Sequence, residues 1–591
     1  MKKSLGLALA IAAGIAVAVA GARAQPYRVI IKHNVPVAMR DGTVLRADVY
    51  TPDGPGPFPV LLTRTPYNKD SGENMGVAYR GAELGFIMVN QDVRGRYASA
   101  GEWYPFRHEA ADGYDTVEWC AALPHSDGKV GMWGGSYDGA TQLFAAVADP
   151  PHLGGIFPMC TTSNFYKDWT YQDGAFTQWF DESWATELAT NTLLRLSRVA
   201  TNPMDYIRTE PLKDYALLSI PAANGLTPAI APYFEDWLRH STYDAYWKQW
   251  AFDEDYSRIH VPVYSMGGWY DLFLGGTLAN YEGIKAHGGT PAARSGARLL
   301  IIPGGHAGWR RRVGDVDFGS ISDVDYYGVM LRWYAWLFKG AHNGVGREKP
   351  VKYFVMGKRA WAEADTWPPP GAHTTSFYLH SEGKANAAHG DGALSVNPPG
   401  KEPPDHFVYN PSDPVPTIGG KLCCDGRHLE AGARDQRPDE ARDDVMVYST
   451  PVFTHDFNVT GPVKVVLYAS SSAVDTDFIA TLVDVDPGGF ARNVTDGIVR
   501  ARYRNSLQNP KLIKPGYVYK FTIDLWATSN VFLAGHRLRI DISSSNFPRF
   551  DRNLNTAESP ETGDRWVKAT NTIYHDAAHP SAVLLPVMQR E

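Results

Sequence analysis

Ser136 stands in a run of residues that could make it a nucleophile. Lys129–Trp133 (KVGMW) reads as a short strand, Gly134-Gly135-Ser136-Tyr137-Asp138-Gly139 as a tight turn, and Ala140–Ala148 as a helix. A serine held between a strand and a helix is the setting of a nucleophile elbow. The usual pattern is G-x-S-x-G. Here Asp138 takes the fifth position and glycine comes one residue later. Small neighbours let the helix pack close behind the serine. The helix N-terminus and the Tyr137 N–H would then face developing negative charge. Gly-rich strand-to-helix turns without catalytic meaning are common, so the motif needs partners.

A serine nucleophile needs a base, and the base needs an orienting acid. In the elbow-type arrangement the acid follows the serine and the histidine comes last. Val261–Met266 (VPVYSM) runs into Gly267-Gly268-Trp269-Tyr270-Asp271, and Arg298–Pro303 (RLLIIP) runs into Gly304-Gly305-His306. Asp271 and His306 both sit just past the carboxyl end of a predicted strand, where open α/β sheets place their sites. Singly, Asp271 reads equally well as a turn or cap residue, and His306 as one loop histidine among 18. Jointly, three matches in order and context are hard to obtain by chance. His260 precedes a strand and His287 lies in a polar, Gly-rich loop, so both fit less well. An oxyanion needs a second donor from the loop after the early strand Pro59–Thr65. Tyr67 stands there with its hydroxyl, and an ordinary half-buried aromatic is an equal reading.

These residues need a scaffold. Strands at Pro59–Thr65, Gly85–Gln91, Lys129–Trp133 and Leu153–Met159 alternate with helical stretches such as Asp112–Leu123. That rhythm predicts a mostly parallel sheet with helices on both faces. From 161 to 255 it stops, in a Trp-, Tyr- and Phe-rich segment with a helical stretch at Asp181–Val199, read as an inserted helical cap. Two strands and an amphipathic helix, Tyr326–Lys339, then complete the α/β domain. After Trp367-Pro368-Pro369-Pro370-Gly371 short alternating runs follow, among them Val463–Ala469, Phe478–Val483, Tyr519–Leu525 and Leu538–Ser543. They predict an all-β domain of sandwich or jelly-roll type. The predicted organisation is a leader at 1–24, α/β segments at 25–160 and 256–367, a cap at 161–255 and a β domain at 368–591. The Pro-, Gly- and Asp-rich stretch 396–440 is expected to be a long surface loop.

Composition sets the bounds. The 591 residues carry 57 Lys and Arg against 64 Asp and Glu, a net charge of −7, with 44% hydrophobic residues. That apolar mass excludes wholesale disorder, and the acidity argues against nucleic acid as a partner. Aromatics make up 12%, which suits a recognition surface and core filling alike. Lys2 and Lys3, the apolar run Leu5–Ala20 and Ala22-Arg23-Ala24 form a secretory signal cut before Gln25. Its loss removes three basic residues and takes the net charge to −10. The expected location is periplasmic or secreted, with no membrane span once the signal is cut. Four cysteines, Cys120, Cys160, Cys423 and Cys424, leave their pairing undecided. No CxxC or CxxH spacing offers a zinc site. Asp475-Thr476-Asp477 reads as a turn sooner than as a cation loop.

The motifs together resemble those of a known family. Gly134-Gly135-Ser136-Tyr137-Asp138-Gly139, Thr65-Pro66-Tyr67-Asn68-Lys69, Gln91-Asp92-Val93-Arg94-Gly95, Gly268-Trp269-Tyr270-Asp271 and Pro303-Gly304-Gly305-His306 are similar to those of the serine hydrolases that include bacterial cocaine esterase, α-amino acid ester hydrolases and X-Pro dipeptidyl-peptidases. The likeness runs from about residue 30 to near the C-terminus and includes Asp413-Pro414-Val415-Pro416-Thr417 and Asp435-Gln436-Arg437. It implies an α/β-hydrolase domain, a helical cap and a C-terminal jelly roll. It implies Ser136 as nucleophile, His306 as base, Asp271 as orienting acid, and the Tyr67 hydroxyl with the Tyr137 N–H as oxyanion hole. The α-amino acid ester hydrolases hold the substrate ammonium in carboxylates that lie partly just after the acid. Here Leu272-Phe273-Leu274 follows, which disfavours an aminoacyl substrate. Asp168 is a candidate for one such carboxylate. Trp169, Trp184 and Phe273 fall where cocaine esterase holds an aromatic acyl group, and cap-core packing accounts for them equally.

The expectation is an exported serine hydrolase that cleaves a small-molecule ester, or an amide, through an acyl-enzyme, with no metal or organic cofactor. An X-Pro dipeptidyl-peptidase and an α-amino acid ester hydrolase or β-lactam acylase are the alternatives. A non-catalytic polysaccharide-binding protein ranks last. The natural substrate and the oligomeric state, including a homo-oligomer, stay open.

Overall fold

A computed structural model describes residues 25–195, 230–306, 311–424, 426, 428–558, 563 and 565–589. The expected signal at 1–24 and the end of the helix expected at 181–199 lie outside the described residues.

Ten strands form the first sheet: β1 (Val29–Ala38), β2 (Val44–Pro52), β3 (Phe58–Thr65), β4 (Ile87–Asp92), β5 (Ser126–Gly135), β6 (Leu153–Met159), β7 (Tyr264–Tyr270), β8 (Arg298–Gly305), β9 (Val351–Val355) and β10 (Ala360–Ala364). Their spatial order is β1-β2-β4-β3-β5-β6-β7-β8-β9-β10. From β4 to β9 neighbours run parallel, and β1, β2 and β10 add antiparallel edges. Every residue of β3 and β4 is buried, as expected of strands covered on both faces. Helices α1 (Gly72–Glu83), α2 (Glu109–Ala121), α3 (Tyr137–Ala148), α4 (Gln178–Arg195), α5 (Pro232–Arg239), α6 (Leu274–His287) and α7 (Tyr326–Lys339) complete this part. Val77, Ala78 and Ala82 of α1 share one hydrophobic core with Met330, Leu331 and Trp333 of α7, so these two helices cover the same face. Side chains of α2, α3 and α6 enter the core of the opposite face. The cap contributes α4 and α5, preceded by a short π-helix, Tyr166–Thr170, and a hairpin.

The C-terminal part is an eleven-stranded, mainly antiparallel all-β domain. Its longest pair, Phe457–Ser471 with Tyr519–Phe532, alternates buried and exposed residues over much of its length. The β domain is bound to the rest by hydrogen bonds. The Tyr270 hydroxyl donates to the Asn493 carbonyl at 2.8 Å, and the Trp179 N–H to the Pro548 carbonyl at 2.9 Å.

The stretch 396–440 departs from expectation. It holds a strand, Asp405–Tyr409, a short helix, Arg437–Glu440, and buried Val415, Leu422 and Ala433. Thr417 N–H donates to the Phe547 carbonyl and Gln436 N–H to the Ala491 carbonyl, both at 2.8 Å. Its Pro and Gly content therefore shapes an irregular chain that is sewn onto the sheet. Asp475 and Asp477 also have a different role from a turn: Asp475 pairs with Arg502 at 2.7 Å, and Asp477 takes the Arg500 fork at 3.0 and 2.9 Å. Cys423 and Cys424 are joined in a disulfide, and Cys120 and Cys160 are buried free thiols.

The fully buried Arg500 also reaches Asp551 Oδ1 at 2.8 Å, and that oxygen accepts the Phe176 N–H of the cap at 2.8 Å. Removing this guanidinium strips two buried carboxylates of their cation, at a cost of about 3–5 kcal/mol. Arg500→Met is expected to lower the denaturation midpoint accordingly. A midpoint within the error of wild type would show that the pair contributes nothing net.

Candidate active site

Ser136 joins β5 to α3 with φ +59° and ψ −124°, a backbone that L-residues rarely adopt. Its environment holds it there. The Ser136 N–H donates to the Met159 carbonyl at 2.9 Å, and its own carbonyl accepts from Gly139 and Ala140 at 3.0 Å each. A Cβ at Gly134 (φ +137°) would stand 2.5 Å from the Asp138 Cβ, and one at Gly139 would stand 2.9 Å from Thr161. Glycine is thus required on both sides of the turn.

Asp271 follows β7 and is fully buried. Its Oδ1 accepts the Phe273 N–H at 3.1 Å and lies 2.8 Å from His306 Nδ1. His306 follows β8, the parallel neighbour of β7. Glycine at 268 permits the close approach of the two strand ends, since a Cβ there would stand 2.2 Å from the Gly304 carbonyl oxygen. Ser136 and His306 line the same cavity, of about 550 Å³. Cys160, not singled out by its motif, is the third member of this corner. Its Sγ, an Asp271 carboxylate oxygen and a His306 ring nitrogen all lie within 4.8 Å of one another. Burial pushes the Cys160 thiol far up, so it stays neutral.

The Tyr67 hydroxyl is 3.5 Å from Ser136 Oγ. Trp184 Nε1 donates to that hydroxyl at 2.9 Å. The indole occupies a lone pair, so the phenol proton is directed elsewhere, toward the serine. Burial raises the Tyr67 phenol well above its ordinary range and keeps that proton in place. Beneath this loop, Asp92 Oδ1 accepts the Lys69 N–H at 2.8 Å, and Arg94 forks onto Asp112 at 2.9 and 2.6 Å. The conspicuous Q-D-V-R-G run is therefore scaffold for Tyr67. Tyr137 opens α3, where an N–H lacks an intrahelical acceptor. Its side chain points away, with the hydroxyl donating to Glu109 Oε1 at 3.0 Å.

The three aromatics lie together behind these groups. Trp169 stacks on Phe273 at 4.4 Å, Trp184 meets Trp169 edge-on at 5.7 Å, and Phe273 is edge-on to His306 at 5.0 Å. Exposures of 1% for Trp169 and Trp184 and 0% for Phe273 mean that the rings fill one another's space. None of them lines the cavity at Ser136. Asp168 is not on its wall either. It accepts from the Thr162 hydroxyl at 3.2 Å, and desolvation raises its carboxyl to about 7. The cavity walls instead include Glu73, Asp138, Trp133, Tyr326 and Tyr327. Of these only Asp138 stood in a recognisable motif.

A family model described as X-Pro dipeptidyl-peptidase (S15 family) matches residues 41–308. One described as X-Pro dipeptidyl-peptidase C-terminal non-catalytic domain matches residues 343–584. Cocaine esterase of Rhodococcus sp. (strain MB1 Bresler) is 37% identical over 581 residues, covering 95% of this chain and 99% of that protein. Among solved structures, an α-amino acid ester hydrolase superposes with a TM-score of 0.80 at 25% identity, covering 98% of this chain and 100% of the other. An aminopeptidase from a marine sediment archaeon, Thaumarchaeota archaeon, gives a TM-score of 0.82 at 25% identity, covering 95% and 97%.

Proposed function

The chain belongs to the S15 family of serine hydrolases, and from that premise we propose that it is an exported carboxylic ester hydrolase working through a Ser136–His306–Asp271 triad. The observation that carries this reading is the buried Asp271–His306 pair at 2.8 Å, on the cavity that Ser136 also lines. His306 Nε2 takes the Ser136 proton as Oγ attacks the ester carbonyl. Asp271 holds Nδ1–H and stabilises the imidazolium. The Tyr67 hydroxyl and Tyr137 N–H receive the oxyanion. His306 then protonates the departing alcohol, and water, activated by the same imidazole, releases the acid.

Ester is preferred over peptide because Leu272, Phe273 and Leu274, the residues after Asp271, are apolar and buried, offering no counter-charge to an acyl ammonium. Likeness to cocaine esterase over nearly the whole chain points the same way. The test is a panel of p-nitrophenyl acyl esters beside aminoacyl and X-Pro p-nitroanilides. Turnover of the esters alone is expected, and faster cleavage of X-Pro anilides would replace the reading with a peptidase. Tyr67→Phe removes one oxyanion donor and is expected to lower kcat by about 10²–10³ with KM little changed. Equal kcat would take Tyr67 out of the oxyanion hole. Export rests on the N-terminal pattern, and the mature protein is expected to begin at Gln25. A retained Met1 in protein recovered from the producing cells would refute it.

A further inference from the structure

Arg96 lies in the loop after β4 and is fully buried. Among the described residues its guanidinium meets no carboxylate. Nε donates to the Pro66 carbonyl at 3.1 Å, and one terminal nitrogen donates to the Leu188 carbonyl at 3.0 Å and to the Thr192 hydroxyl at 3.3 Å. Its central carbon stands 5.2 Å from the Trp103 ring centre and 5.5 Å from that of Tyr97. A buried cation surrounded only by carbonyls, a hydroxyl and ring faces disfavours folding, so packing alone does not account for it. Arginine suits such a place better than lysine, because its planar fork is weakly hydrated and reaches two acceptors at once.

The acceptors lie on the two sides of the Tyr67 hydroxyl. Pro66 is the residue before Tyr67. Leu188 and Thr192 stand one and two turns beyond Trp184 on α4, and Trp184 Nε1 donates to the Tyr67 hydroxyl at 2.9 Å. Arg96 therefore bridges the chain that carries Tyr67 and the helix that aims its proton. Other bonds close the same seam: the Tyr97 N–H donates to Asn191 Oδ1 at 3.3 Å, and Arg195 donates to the Tyr97 and Ser99 carbonyls at 2.8 and 3.0 Å. Of these three side chains only Arg96 also grips Pro66. Its charge acts on the Tyr67 phenol as well. In a packed interior that interaction is screened less than in water. It favours negative charge beside the phenol oxygen, which is what an oxyanion brings there.

We propose that Arg96 is a positioning residue of the oxyanion hole: its fork fixes the Tyr67 loop against α4, so that the hydroxyl held by Trp184 meets the oxyanion, and its charge strengthens that donor. This rests on Tyr67 serving the oxyanion in the acyl transfer proposed above. Arg96 is not on the wall of the cavity at Ser136, so it acts through Tyr67 and not on the substrate.

The test is a double-mutant cycle on p-nitrophenyl ester hydrolysis with Arg96→Met and Tyr67→Phe. Arg96→Met alone is expected to lower kcat about 10- to 100-fold with KM little changed, the scale of misplacing a group near the chemistry. In the Tyr67→Phe background the same substitution is expected to lower kcat less than about threefold, because the donor it positions is already gone. Arg96→Lys keeps the charge but reaches only one of the two carbonyls, and is expected to recover part of kcat. If Arg96→Met folds poorly, Arg96→Lys carries the same cycle. Wild-type kcat in either Arg96 variant, or equal fold-losses in both backgrounds, would overturn the proposal and leave Tyr67 in the oxyanion hole. Unchanged kcat in Tyr67→Phe would overturn both.

Discussion

Ser136→Ala is expected to lower kcat for ester hydrolysis by about 10⁶-fold, the scale of losing a serine nucleophile, while thermal unfolding stays at the wild-type temperature. The two halves of this expectation have separate causes. Turnover depends on Oγ, which in the proposed mechanism forms the acyl bond and has no substitute in alanine. The fold depends on the backbone of the turn. That backbone is held at φ +59° by the Met159 carbonyl and by the Gly139 and Ala140 N–H groups, none of which touches Oγ. Residual hydrolysis of about 10³–10⁴ over water would reflect the oxyanion donors and binding alone. Measured kcat near wild type, with correctly folded protein, would remove Ser136 from the mechanism.

Asp271→Asn is expected to cost about 10⁴-fold in kcat. Asparagine keeps the shape but loses the charge that stabilises the imidazolium. If its amide turns toward His306, it donates to Nδ1 and forces the proton onto Nε2, the nitrogen that must accept from Ser136. KM should change little, because Asp271 is fully buried and touches no substrate. Its hydrogen bonds are to Phe273 N–H and the His306 ring. A loss smaller than tenfold would mean that another group orients His306. Cys160 is then the neighbour to examine, since its Sγ shares that corner.

The reading of Ser136, Asp271 and His306 from sequence rested on a repeated local pattern: a β-prone run, then glycines, then the polar residue. In the folded chain each follows its strand, and the glycines serve where a Cβ would strike Asp138 or the Gly304 carbonyl. Tyr67 was legible by its place alone, two residues past the end of β3. The edge strands β1 and β10 were not, because an edge strand need not be apolar throughout. β1 is mostly exposed. The stretch 396–440 misled because Pro, Gly and Asp mark irregular chain, and irregular chain need not be surface chain when backbone groups such as those of Thr417 and Gln436 find partners in the sheet.

The aromatic excess shows where sequence stopped. Composition could not separate rings that grip a ligand from rings that fill space. Packing shows that Trp169, Trp184 and Phe273 bury one another, with Trp184 also fixing the Tyr67 hydroxyl, whereas the half-buried Tyr326 and Tyr327 line the cavity beside Ser136. Glu73 by itself looks like a helix-start carboxylate that favours the dipole. It becomes part of a pocket only because α7 packs beside α1, some 250 residues later in the chain. Sequence by itself determined the α/β and β organisation and the positions of Ser136, Asp271 and His306, since turn sterics and strand periodicity act over a few residues. The identity of the cavity walls was decided by tertiary structure alone, since it depends on which helices share a face of the sheet.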